Sequence, residues 1–395
     1  MASYRKLPSG LWQATVYMPN GRRTTETDKL KSVVKEWAGD LEMRYKRGEQ
    51  FDPRAGRITV KEWRERVVAS RHLEAPTIRK HASIWRTHCE EEWADWPMNA
   101  VARQEAQEWV NRLRSTRRAR HKGRATGDAD ADVPFLSAAT VHEAVFLMTS
   151  LYKAGMNAHP PIITRNPFAA LDLPRIEPQP VQFYEREEAR ALYEAAGRSS
   201  RRARLLIELG MDVGLRPGEI YGLHTDRMDW KRNLIEVTRV MTRDGLREYP
   251  KSRMSHRTVP ARKELMEQIA KELGAGRKWA GACTCRKVLP DGTTLPGKGP
   301  CKGLVFPAPG GGPIDDGNFR DRVWNPAVAA AGIRRFPPKI MRHTAASHLV
   351  QDGVPLYEVQ HLLGHESPAT TQKYAHLAPD AHEKIRDSWK RREGS

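Results

Sequence analysis

Long apolar runs are missing from this 395-residue chain. No segment approaches the ~20 apolar residues that a membrane helix needs. The opening residues, MASYRKLPSG, hold no apolar signal core, so an intracellular, cytoplasmic protein is expected. Cysteine is scarce: four in this length do not make a disulfide framework, which fits a reducing compartment. Acidic residues fall short of basic ones, 48 against 67, leaving a formal net charge of +19. The two signs are mixed along the whole chain, so the excess sits on basic faces of a folded protein and not in a tail. A polyanion is the expected partner, nucleic acid first and an anionic membrane surface second.

What is present divides into three parts, with length enough for two or three cores. In residues 1–50, Leu11 to Met18 alternates as a strand does, with Trp12, Ala14 and Val16 on one side. Pro19-Asn20-Gly21 is a hairpin turn, Arg22 to Thr27 the return strand, and Leu30, Val33, Val34, Trp37, Leu41 and Tyr45 share a helix face. Carrying Arg5, Lys6, Arg22 and Arg23, this module either lays its strands in a DNA groove or is a packing domain with a solvated basic face. RGEQFDPRAGR, residues 47–57, reads as a linker.

Residues 57–172 spell four helices. Thr59 caps the first and Thr77 the second; a third runs near Val101 to Leu113, and a fourth, Ala139 to Gly155, follows the arginine-rich loop of residues 114–134. A proline-rich linker, LDLPRIEPQPVQ, precedes a mixed α/β domain over 183–395. That domain is expected to hold a strand from Leu234 to Met241, a hairpin region from Gly245 to Pro260, a short buried strand from Leu304 to Pro307 and a helix from Asn318 to Ala331. The fold class is multidomain, mainly α with small β-sheets.

The chemistry concentrates near the end, in KIMRHTAASHLVQDGVPLYEVQHLLGHESPATTQKY. Gly353 and Pro355 stop the helix that carries Arg342, and Ser367-Pro368 opens another expected to carry Tyr374. Arg342, His365 and Tyr374 can thus converge from three short helices. Cleaving a phosphodiester with a side-chain oxygen needs an in-line nucleophile, cations for the non-bridging oxygens and an acid for the leaving oxygen. Arginine suits the second task, because its planar fork pairs with phosphate and keeps its charge; lysine suits the third. Arg216 at a helix start and Lys251 complete the set. No carboxylate cluster with metal-ligand spacing accompanies them, so no cofactor is expected. Singly, each has a plainer reading: Tyr374 as a packing tyrosine, His365 as a cap, Arg216 as half of a one-turn ion pair with Glu219.

Four motifs in order, GLRPGE, PKSRMSHRTVP, KIMRHTAASHL and LLGHESPATTQKYAH, make the chain resemble the tyrosine recombinases of the phage integrase family. The resemblance implies an arm-type DNA-binding module in 1–50, a helical, SAM-like core-binding domain in 57–172 and a catalytic domain in 183–395. It implies that Tyr374 attacks the scissile phosphate to give a 3′-phosphotyrosyl link. Arg216 and Arg342 would hold the phosphate, His365 would bond a non-bridging oxygen, and Lys251 would protonate the leaving 5′ oxygen. Lys339 stands where the family usually has histidine and can still donate to phosphate or exchange a proton. The implied partners are double-stranded attachment-site DNA and a homo-tetramer on it, with an excision factor or DNA-bending protein as accessories. The implied reaction is integration and excision through a Holliday junction. A type IB-like topoisomerase and a non-catalytic DNA-binding regulator are the alternatives; the N-terminal module and the C-terminal tail favour the recombinase.

Cys283-x-Cys285 and Cys301 lie in a Gly- and Lys-rich insertion that the resemblance does not require. No metal is assigned, but these thiolates are weak zinc candidates wanting a fourth ligand. Cys89 reads as core.

Overall fold

The structure, a computed structural model, describes residues 2–19, 21–48, 52, 54–71, 73–116, 135–177, 179–248, 256–274, 283–299, 301, 303–379, 386 and 389–390. Outside the described residues lie Lys251, Asn20 of the hairpin turn, the arginine-rich loop from 117 to 134 and most of the C-terminal tail. The chain forms two compact units, Met1–Pro178 and Gln179–Ser395.

The first unit begins with strands β1 (Ser3–Lys6), β2 (Trp12–Tyr17) and β3 (Arg23–Asp28), antiparallel in that order, followed by helix α1 (Lys31–Lys46). Ala14 and Val16 of β2 close a small core with Val34, Ala38 and Leu41. Two residues expected on the apolar helix face are not on it: Leu30 is 61% and Val33 42% exposed. Strand β1 escapes a pattern search because all four of its residues are exposed. The helical part runs through α2 (Val60–Ser70), α3 (Ala75–Ile84), α4 (Glu90–Trp93), α5 (Arg103–Ser115) and α6 (Ala138–Met156). Thr59 and Glu62 form the reciprocal cap of α2. Helix α3 starts earlier than its expected cap: Glu74 is the capping position, Pro76 lies in the first turn, and the Thr77 N–H already donates to Glu74 O. A π turn, Trp85–Cys89, joins α3 to α4. The rings of Trp93, Trp109 and Phe168 pack edge to face, 5.4–5.8 Å apart, at the centre of this second core.

The second unit opens with α7 (Arg186–Ser199), α8 (Arg201–Met211) and the short α9 (Pro217–Tyr221). One sheet follows from β4 (Met228–Asp229), β5 (Leu234–Val237) and, further on, β8 (Arg257–Pro260); another pairs β6 (Val240–Thr242) with β7 (Gly245–Arg247). The single strand expected from Leu234 to Met241 is therefore split between sheets. Arg239, at the break, is drawn aside by Asp226 at 2.7 Å and Glu248 at 2.9 Å. The hairpin expected over 245–260 is not formed by its described strands, since β7 and β8 lie in different sheets. Helix α10 (Lys263–Gly274) precedes a small hairpin, β9 (Lys287–Val288) and β10 (Thr294–Leu295), which extends the second sheet through a parallel β7–β9 pairing. Leu304 to Phe306 are buried as expected, but Leu304 makes only an isolated bridge, to His224. The expected helix from Asn318 is α11 (Asp316–Phe319), a π turn at Arg320–Trp324 and α12 (Asn325–Ala331). Helices α13 (Ile340–Gln351), α14 (Leu356–Leu363) and α15 (Pro368–Gln372) close the unit. Tyr374 is not on α15; it lies two residues past its end, where a 3-10 turn begins.

Candidate active site

The turn after α8 sets the geometry. Gly214 has φ +77°, and a Cβ there would fall 2.6 Å from Leu363 Cδ2, so glycine lets the end of α14 close on this turn. Arg216 then occupies the N-cap of α9, with Pro217 as first helical residue. Its backbone N–H and its Nη1 each donate to Glu219, both at 2.9 Å. Glu219 is 3% exposed. From β8, Arg257 grips the same carboxylate with both Nη atoms, at 3.0 and 2.8 Å, and donates Nε to Leu362 O at 2.8 Å. Burial alone would push the Glu219 carboxyl up, but Arg257, Arg342 and Arg216 together hold it down at about 2.

Arg342 enters from α13 and is buried. Its Nη1 donates to Gly214 O at 2.9 Å and its Nη2 to Leu363 O, tying α13 to the ends of α8 and α14. Burial, then the like charge of Arg216, brings its pKa down to about 9, so it remains a cation at neutral pH. His365 follows Gly364, whose left-handed backbone ends α14, and shares a hydrogen bond with Thr371 Oγ1 at 2.9 Å. Burial, followed by the charges of Arg342 and Arg216, lowers its pKa to about 4, so the imidazole is neutral.

Tyr374 is 3% exposed and packs with Ala346, Val350, Val359 and Leu363. Its hydroxyl lies 2.6 Å from His343 Nδ1. Burial raises the phenol pKa, and Arg342 opposes the rise. Burial, then Lys339, Arg342 and Lys373, lowers the His343 pKa, so this imidazole is neutral and the phenol donates to Nδ1. Lys339 is exposed at the N-cap of α13, its charge felt by His343.

The fold thus gathers Arg216, Arg342, His365 and Tyr374, with Lys339 at the rim and Lys251 outside the described residues. The plainer readings coexist with this grouping, since Arg216 does pair with Glu219 and Tyr374 is packed. Arg257, His343 and Thr371 were missed as members. Each lies inside a motif quoted above, but its role depends on a tertiary partner. A second cluster in the same unit joins Cys283, Cys285 and Cys301 to His224, another residue no pattern singled out.

The architecture is that of solved DNA integrases. The Tn1549 transposon integrase in complex with a circular intermediate DNA superposes with a TM-score of 0.64 at 17% identity, covering 85% of this chain and 99% of that one. A lambda integrase dimer bound to a COC′ core site gives 0.56 at 15% identity, covering 94% of each chain. At such identities the likeness is one of fold. In sequence, the tyrosine recombinase XerC of Bacillus pumilus is 26% identical over 249 residues, 62% of this chain and 73% of that protein. XerC of Bifidobacterium longum is 30% identical over 199 residues, 50% of this chain and 48% of that protein. The phage integrase family profile matches residues 182–381, and the chain belongs to that family, the tyrosine recombinases.

Proposed function

We propose that this chain is a site-specific DNA recombinase that integrates and excises a phage or mobile element. The observation that carries the reading is the meeting of a tyrosine hydroxyl, a neutral histidine and two arginines within one site. In the proposed step, Tyr374 Oη attacks the scissile phosphorus, the P–O5′ bond breaks, and a 3′-phosphotyrosyl link remains. The phenolic proton passes to His343, already its hydrogen-bond partner. Lys251 supplies a proton to the departing 5′ oxygen. Arg342 and Arg216 stabilise the charge on the non-bridging oxygens; the Arg216 side chain is 44% exposed and spends one Nη on Glu219. With Nδ1 accepting from the Thr371 hydroxyl, His365 carries its one proton on Nε2 and donates that N–H to the phosphate. Lys339 assists as a further cation at the rim, and His343 fills the place of the base, which the sequence alone left open.

The recombinase reading extends to partners. Double-stranded attachment sites are bound by the 1–50 arm module and the 57–172 core-binding domain, and four copies assemble for strand exchange. A lambda integrase tetramer bound to a Holliday junction has the same fold, with a TM-score of 0.55 at 16% identity, which supports this assembly. The test is a nicked suicide substrate carrying the attachment site. Wild-type protein accumulates a covalent protein–DNA adduct without added Mg²⁺, and Tyr374→Phe forms none. Adduct formation by Tyr374→Phe would overturn the nucleophile.

A further inference from the structure

Four metal-ligating side chains meet in the catalytic unit at a place the recombination chemistry does not use. His224 lies just beyond α9 and is 1% exposed. Its Nδ1 is 2.7 Å from Gly222 O, so Nδ1 carries the proton and donates it, and the Nε2 lone pair points elsewhere. It points at sulfur: Cys283 Sγ at 3.1 Å and Cys301 Sγ at 3.7 Å. Those two sulfurs are 3.5 Å apart, and with Cys285 Sγ all four ligand atoms lie within 4.8 Å of one another. Cys285 and Cys301 are buried. Tetrahedral zinc, with Zn–S near 2.3 Å and Zn–N near 2.0 Å, needs ligand-to-ligand edges of about 3.5–3.8 Å. Shifts of about 1 Å or less convert the observed cluster into that figure.

The surrounding backbone is built to hold it. Thr225 N–H donates to Gly303 O and Val305 N–H to Leu223 O, both at 2.9 Å, so the chain leaving the insertion runs beside His224. A Cβ at Gly303 would press within 3.0 Å of the imidazole Cδ2. On the other side, β9 pairs with β7, and Leu246 N–H donates to Arg286 O at 2.7 Å, next to Cys285. The ligands therefore come from two segments far apart in sequence and brought together by the fold, as structural metal sites are.

We infer that His224, Cys283, Cys285 and Cys301 bind one zinc ion as a closed structural site, which staples the 283–301 insertion to the segment just after α9. Four protein ligands leave no open position, so the ion orders the fold and performs no step of strand transfer. This goes beyond the recombinase reading and stands or falls separately from it.

The test uses full-length protein purified without an added metal and under reducing conditions. Elemental analysis is expected to find one zinc per chain in the wild type and in Cys89→Ala, whose thiol lies in the other unit. His224→Gln and Cys285→Ser are expected to retain at least roughly tenfold less zinc after dialysis against a competing chelator. Because those variants could unfold, the wild type is also exchanged with cobalt, which should give intense d–d bands of a tetrahedral site and thiolate charge-transfer bands. Substoichiometric metal in the wild type would overturn the inference. So would full zinc retention in both folded variants, an octahedral cobalt spectrum, an iron–sulfur chromophore, or a Cys283–Cys301 disulfide in the freshly reduced protein.

Discussion

Glu219 and His343 are the two residues whose replacement discriminates most. Glu219 is a buried carboxylate held at about 2 by its arginines, against an ordinary value of 4.5. A depressed carboxyl stabilises the fold above its unfolded pKa and stops doing so as pH falls through the folded one. A shift of this size corresponds to about 3 kcal/mol at neutral pH, in line with the ~3–5 kcal/mol for breaking a buried ion pair. Urea denaturation should therefore show Glu219→Gln about 3 kcal/mol less stable at pH 7, with the gap closing between about pH 4.5 and pH 2. An equal gap at pH 3 and pH 7 would contradict the ion-pair account. His343 makes a kinetic prediction. As a neutral base with a pKa below 6.5, it should let single-turnover cleavage hold its rate as pH falls to 6.5 and lose it below. His343→Asn should cleave roughly 10²–10⁴-fold more slowly and lack that acid limb. A variant that keeps both rate and limb would rule out His343 as the base.

At the scale of elements, the site depends on how α8 and α14 end and how α13 begins. Gly214 is where all three meet: its φ is +77°, its missing side chain makes room for Leu363, and its carbonyl accepts from Arg342. Gly214→Ala should cost about 2–3 kcal/mol by thermal or denaturant unfolding, combining backbone strain with displacement of Leu363. Strand cleavage should fall further than stability alone explains, because the strained turn shifts the carbonyl that anchors Arg342. The motif GLRPGE announced this turn, and Arg216, Arg342, His365 and Tyr374 were legible because each sits in a short run of distinctive composition. Arg257 was not: its value comes from lying opposite Glu219 across 38 residues. His224 was hidden likewise, 59 residues from Cys283. Strand breaks and helix starts were missed where local pattern lost to tertiary pairing, as at Arg239, or to a proline in the first turn, as at Pro76.

For the whole molecule, the charge of +19 gives a salt-dependence prediction. Each phosphate contact contributes about −0.9 to the slope of log affinity against log salt concentration on duplex DNA. Arg5, Lys6, Arg22 and Arg23 are all exposed on the small N-terminal sheet and its turn. Replacing the four by alanine should flatten the slope for a substrate with arm and core sites while leaving cleavage of an isolated core site unchanged. An unchanged slope would argue that the module only packs.

The carboxylate shared by Arg216 and Arg257 has one more consequence. Guanidinium groups drawn into a half-dry site repel one another, and without a counterion they would splay toward water until a phosphate arrived. Glu219 acts as a resident anion. The reorganisation free energy of collecting the cations is thus met when the chain folds, and in the proposed reaction an incoming phosphodiester would find an electric field already set.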